Sequence, residues 1–349
     1  MSALVSGSYS LVKMNCHGIP LSRSSIIHLA RLSTLKDVGF QLPESTLWPP
    51  AEPGFQAFAS LTSISLTTTL SAYIPFSRAL PLPHIHELNL YVTGEPLAQL
   101  IPDFFSAIRH QLSPASLRKL AIDTSRIPSA STAHLRSAVI RPSDLQPLLD
   151  FSRMEHFDLG MECRYAFNDA FIFDAVNAWP CLTSFFLASD NCCFHDTLPT
   201  LTSLVHLAMY APDLSEVGLQ FDAAGWIHGP VNDSGGLPEQ SYGDLQGRAS
   251  TSSVFSLHVG ISPIAGPASV TLFLARIFPA LGTLTAGRCD DVEQAERWRE
   301  VERYLPLFAQ IRRDERRRMR QEGVDGEDES EDNDEGSADY ASETSLSSL

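Results

Sequence analysis

The sequence lacks most of the features that mark an enzyme, a membrane protein or a secreted one. It has no Gly-x-x-x-x-Gly-Lys loop, no Gly-x-Gly-x-x-Gly turn, no Gly-x-Ser-x-Gly elbow and no His-Glu-x-x-His pair. This removes the usual sequence grounds for nucleotide binding, serine-type hydrolysis and zinc proteolysis. The six cysteines (16, 163, 181, 192, 193 and 289) have no regular spacing and no Cys-x-x-Cys. That argues against a zinc knuckle and fits reduced thiols in a cytoplasmic or nuclear protein. The first residues carry no basic stretch followed by a long apolar run, so no secretory leader is expected. The best apolar stretch, Val270 to Leu284, is interrupted by Arg276 and Pro279 and is too short to cross a bilayer. Basic charge is scarce, with 25 Lys and Arg against 41 Asp and Glu. No broad basic surface for nucleic acid is expected.

The net charge of −16 is concentrated in one place. From Glu322 to Leu349 there are 11 acidic residues and no basic one, so the preceding chain holds 30 acidic and 25 basic residues. The body is therefore only mildly acidic. The acidic, serine-rich segment 322–349 has almost nothing to bury and is expected to be disordered.

What the sequence does have is a degenerate Leu-x-x-Leu-x-Leu repeat. The units are Leu35/Val38/Phe40, Leu61/Ile64/Leu66, Ile85/Leu88/Leu90, Leu117/Leu120/Ile122 and Met154/Phe157/Leu159. They continue as Leu182/Phe185/Leu187, Leu214/Val217/Leu219, Val254/Leu257/Val259 and Leu281/Leu284/Ala286. First positions are separated by 24 to 40 residues, a period typical of solenoids. Each triplet alternates as a short strand does, with its last two apolar positions turned to the core. Helical stretches precede several strands: Ala98 to Leu112, Asn168 to Trp179, Thr200 to Tyr210 and Ala268 to Phe278. Prolines at 180, 212 and 279 then stop the helix and set up the extended run. The expected fold is α/β: a leucine-rich-repeat solenoid of about nine irregular repeats, with a curved parallel sheet and helices on the outer face.

The expected boundaries follow from the repeats. Residues 1–25 read as an irregular lead-in and 26–288 as the solenoid. A flexible, glycine-rich insertion is expected at 222–252. Residues 289–321 read as a C-terminal capping helix, in which Trp298, Val301, Tyr304, Leu305 and Phe308 cover the last repeat. The tail follows from 322.

Three stretches stand out: Ser256 to Leu284 (SLHVGISPIAGPASVTLFLARIFPALGTL), Phe167 to Leu187 (FNDAFIFDAVNAWPCLTSFFL) and Tyr210 to Ala223 (YAPDLSEVGLQFDA). They resemble the C-terminal repeats of the F-box and leucine-rich-repeat proteins expanded in mushroom-forming fungi. They occur in the family's order and, with the repeats, extend the resemblance over roughly residues 80 to 315. The resemblance implies a substrate-receptor surface of an F-box (SCF-type) ubiquitin ligase adaptor. The family's N-terminal F-box, a run of short helices opening on Leu-Pro, is expected to be missing. The first repeat strand is reached at Leu35, and Leu42-Pro43 and Leu82-Pro83 fall inside the array. A Skp-type adaptor is thus a partner only if an F-box lies upstream. The alternatives are a stand-alone scaffold or decoy and, from a third class, an enzyme.

The binding surface follows from the repeat. Its third, fifth and seventh positions point away from the core onto the concave sheet. That places Glu87, Asn89 and Tyr91 on one rung, and Lys119 and Asp123 on the next. Further rungs carry His156 and Asp158, Ser184 and Phe186, Glu216 and Gln220, and His258. Phe186 is expected to stand exposed as an aromatic anchor for a protein partner, unless neighbouring rungs or the 222–252 segment cover it. No catalytic residue, metal or cofactor is expected. His84 and His86 share a strand face without a third ligand. Cys192, Cys193 and His195 read as an ordinary loop. Arg312 to Arg320, with six arginines, reads as a solvated helix face, with a nuclear-import or phosphate-binding patch as the alternative.

Overall fold

The computed structural model describes residues 10–44, 48, 57–94, 96–124, 138–189, 194–225, 252–287 and 291–325. Ten strands form one parallel sheet. They are β1 (Lys13–Pro20), β2 (Asp37–Gln41), β3 (Ser63–Thr68), β4 (Glu87–Val92), β5 (Lys119–Thr124), β7 (His156–Gly160), β9 (Ser184–Leu187), β11 (Glu216–Leu219), β12 (Ser256–Gly260) and β13 (Thr283–Ala286). They lie side by side in chain order, with no strand out of sequence. A second parallel sheet contains β6 (Val139–Ile140), β8 (Arg164–Ala166) and β10 (Phe194–Thr197), with β8 in the middle.

The apolar triplets explain the large sheet. All nine fall on or just ahead of a strand of that sheet, and every position is at most 7% exposed except Ala286. Ala286 closes the last strand on the outside, so the ninth triplet has two core positions where the others have three. The step from strand to strand is set by the residue after the first leucine. The carbonyl of Lys36 accepts from the Thr62 and Ser63 amides, and that of Thr62 accepts from His86 and Glu87. The series runs on through His86, Arg118, Glu155, Thr183, Ser215 and Phe255 to Gly282 and Thr283. Hydroxyls of Thr62, Thr183 and Ser215 reinforce it by donating to the same carbonyls at 2.9–3.0 Å. Each rung thus finds its partners on the rung before it, which satisfies backbone groups that a buried turn would otherwise strand.

Helices cover the core side. They are α1 (Arg23–Ala30), α2 (Leu70–Ala79), α3 (Ile101–Gln111), the single turn α4 (Pro142–Leu145), α5 (Asp169–Ala178), α6 (Leu201–Tyr210) and α7 (Pro267–Ile277). Side-chain caps start several of them. Ser22 Oγ accepts from the Ser25 amide, Thr69 Oγ1 from Ala72, Asn168 Oδ1 from Phe171 and Thr200 Oγ1 from Thr202, which satisfies amides that have no partner inside the helix. Beneath α5 the core is aromatic. The Phe157 ring lies 4.7 Å from Trp179 and 5.8 Å from Phe185, and Trp179 Nε1 donates to the Leu148 carbonyl at 3.3 Å. Between α2 and α3, buried Tyr73 donates to Gln111 Oε1 at 2.6 Å, and Gln111 Nε2 donates to the Leu80 carbonyl at 3.0 Å. Burial pushes the Tyr73 hydroxyl far above the ordinary tyrosine range.

The C-terminal end is covered by α8 (Val292–Asp325). Trp298, Val301 and Leu305 are buried there, and Trp298 Nε1 donates to the Ser262 carbonyl at 2.7 Å. Gln294 Oε1 accepts from the Ile264 amide, and Arg297 donates to the Ile264 carbonyl, each at 2.7 Å. The helix runs four residues past the expected end at 321, so its last turn occupies the start of the segment read as tail. Residues 326–349 lie outside the described residues.

One further expectation needs correction. Residues 1–25 are not wholly an irregular lead-in: Lys13–Pro20 is the first strand of the sheet and α1 begins at Arg23. The core positions of β1 are Met14 and Cys16, both only partly buried, so its apolar signal is weak beside that of the other strands. Of the segment expected as a flexible insertion, 222–252, only the edges are described. Asp222 bridges to Thr200, Ala223 bridges to Ile264, and Ser252 is buried. Residues 226–251 lie outside the described residues.

Candidate functional surface

The sheet face turned away from the helices carries the residues singled out in the sequence. Cross-strand register arranges them in three rows. The first passes through Asp37, Ser63, Glu87, Lys119, His156 and Ser184. The second passes through Asn89, Ala121, Asp158, Phe186, Gly218 and His258. The third brings Tyr91 beside Asp123, and Asp123 beside Gly160. Residues scattered over more than 170 positions in the chain therefore share one continuous face.

Their exposures differ. Glu87, His156 and Asp158 are exposed, and Tyr91 is 39% exposed. Asn89, Lys119, Asp123, Phe186 and His258 are half-buried. Asn89 Nδ2 donates to Ser65 Oγ at 3.2 Å, and His156 Nδ1 lies 3.4 Å from Thr183 Oγ1. Gln220 is not open as expected: it is 1% exposed just past the end of β11, where its Nε2 donates to the Ala188 carbonyl at 3.1 Å. The cause is local backbone geometry. Ala188 sits at φ +50 and Gly260 at φ +55, and a Cβ on Gly260 would lie 2.6 Å from Gln220 Cγ and 2.7 Å from the Ser189 carbonyl oxygen. Left-handed backbone on either side thus folds the strand ends over Gln220.

Phe186 does not stand free as expected. Its ring lies over Gly218 on the next strand, where a Cβ would meet Phe186 Cδ1 at 2.2 Å. It reaches His258 one strand further on, with ring centroids 5.2 Å apart. His258 Nε2 in turn lies 3.3 Å from Ser256 Oγ. The same arrangement occurs near the other end of the sheet. The His17 imidazole covers Gly39, with Cε1 2.6 Å from the site of a Cβ, and meets Tyr91 edge-on at 5.6 Å. His17 and both glycines escaped the sequence reading. The usable signal was a glycine at the middle outward position of a strand, where only a neighbour's ring can fill the space. The face also holds the Lys13–Asp37 ion pair at 2.6 Å, and its hydrogen bond raises the Lys13 pKa.

Two titratable groups shifted by burial lie on or next to the smaller sheet. His195, on β10, has Nε2 3.3 Å from the Ala188 carbonyl and its ring 5.7 Å from Tyr165. Burial lowers its pKa to about 4 against weaker raising effects from Ala188 and Asp196, so the imidazole is neutral at ordinary pH. Burial and nearby Glu162 push the Cys163 thiol up to about 12, far from the range of a reactive thiolate. His84 and His86 are both exposed. Among the described residues no group of three or more His, Cys, Asp and Glu side chains is placed to hold a metal ion. Cys192 and Cys193 lie outside the described residues, as do most side chains of Arg312 to Arg320. No described helix is long and apolar enough to cross a membrane.

Comparison with known proteins adds no identity. No family model matches the chain, and no curated protein matches it.

Proposed function

We propose that this chain is a leucine-rich-repeat solenoid of about nine irregular repeats whose helix-free sheet face recognises another protein. The observation that carries this reading is the uneven treatment of the two sheet faces. The helix-side positions are almost uniformly apolar and buried, while the opposite face combines exposed Tyr91, Glu87 and Asp158 with half-buried Phe186 and His258. Mixed aromatic and charged surfaces on a rigid frame suit macromolecular partners. No catalytic role is assigned, because burial is the leading cause of the shifts at Tyr73, Cys163 and His195.

The context of this recognition is the substrate-receptor part of an F-box type ubiquitin ligase adaptor, acting in the cytoplasm or nucleus, with no nucleic-acid or membrane partner. It rests on the family resemblance of the repeat stretches. A second reading, a stand-alone scaffold or decoy, is favoured by one observation. The described residues between 13 and 287 belong to the sheets, the helices beside them and the turns that join these, so a Skp-binding helical box is not among them.

Two measurements test these readings. A photo-crosslinking residue at position 91 should capture the partner, while one at Phe173 on the outer helical face should not. Capture from 173 alone would overturn the assignment of the surface. Mixing the purified chain with a Skp-type adaptor then separates the contexts. A stable complex supports the ligase reading, and its absence supports the stand-alone module.

A further inference from the structure

We draw no further inference here: the strongest candidate, the Asp123 and Asp158 carboxylates at the centre of the helix-free sheet face between Tyr91 and Phe186, is an acidic cluster within the surface already described, and no second observation in the structure points to a cation or a basic partner there.

Discussion

The two faces of the ten-stranded sheet are built from alternate residues of the same strands, yet they obey different rules. On the helix side, Leu88 and Leu90 of β4 or Phe157 and Leu159 of β7 are fully enclosed, and one apolar residue does much the same work as another. On the opposite side, neighbouring positions range from glycine to phenylalanine to aspartate, and the rings of His17 and Phe186 rest on glycines of adjacent strands. The first face is constrained by volume and the second by which side chains touch. Stability should therefore reside in one, and selectivity in the other.

The contrast can be broken most strongly from the core. Trp179→Ala removes the ring that packs against Phe157 at 4.7 Å and the donor to Leu148. The expected loss is roughly 3–5 kcal/mol, read by urea denaturation. A loss below about 1 kcal/mol would mean that the aromatic cluster is not a main source of stability.

The next effect is one of pH. The His195 pKa is about 4 in the folded chain against an ordinary 6.5. The unfolded chain therefore takes up a proton first as pH falls, and stability declines between pH 6.5 and about 4. The full decline is on the order of 3 kcal/mol. Comparing denaturation midpoints at pH 7 and 4.5 measures it, and His195→Phe should flatten that part of the profile. An unchanged slope in the variant would assign the acid sensitivity elsewhere.

On the open face the effects shrink. Gly218→Ala forces the Phe186 ring off its seat, since the new Cβ would lie 2.2 Å from Cδ1. We expect a cost of about 1–2 kcal/mol and a change in the ring's environment visible by NMR. A neutral substitution would show that the ring has a second resting place. Tyr91→Ala should cost stability least, under about 1 kcal/mol, while weakening partner binding. If its melting temperature fell as far as that of Trp179→Ala, the distinction between the faces would fail at this position.

Much of this frame was legible in the sequence, because a buried strand needs apolar residues at fixed spacing and the spacing repeats. The nine triplets and the helices before Trp179, Ala211 and Phe278 announce themselves in this way. Five elements did not. The strand β1 offers only Met14 and Cys16 to the core. The helix α2 contains Pro75 and follows a strand rich in Ser and Thr. The β6, β8 and β10 strands are only two to four residues long. For the surface, alternation identified which residues face outward but not how they settle. Gln220 is covered where the backbone turns left-handed at Ala188 and Gly260, and Phe186 lies down because its neighbour is glycine. Both outcomes depend on adjacent strands that are distant in sequence.

The ladder of shared carbonyls from Lys36 to Phe255 makes the molecule a ruler. Its graduations are equal in space although the chain between them varies from 24 to 40 residues. Counted in rungs, Tyr91 on β4 and Phe186 on β9 are three steps apart, about 14 Å at ~4.8 Å per step. An extended partner segment of about four residues would span that gap at ~3.3 Å per residue. Lengthening a loop on the helix side leaves this measure unchanged, whereas inserting or deleting one rung between the two shifts it by a full graduation.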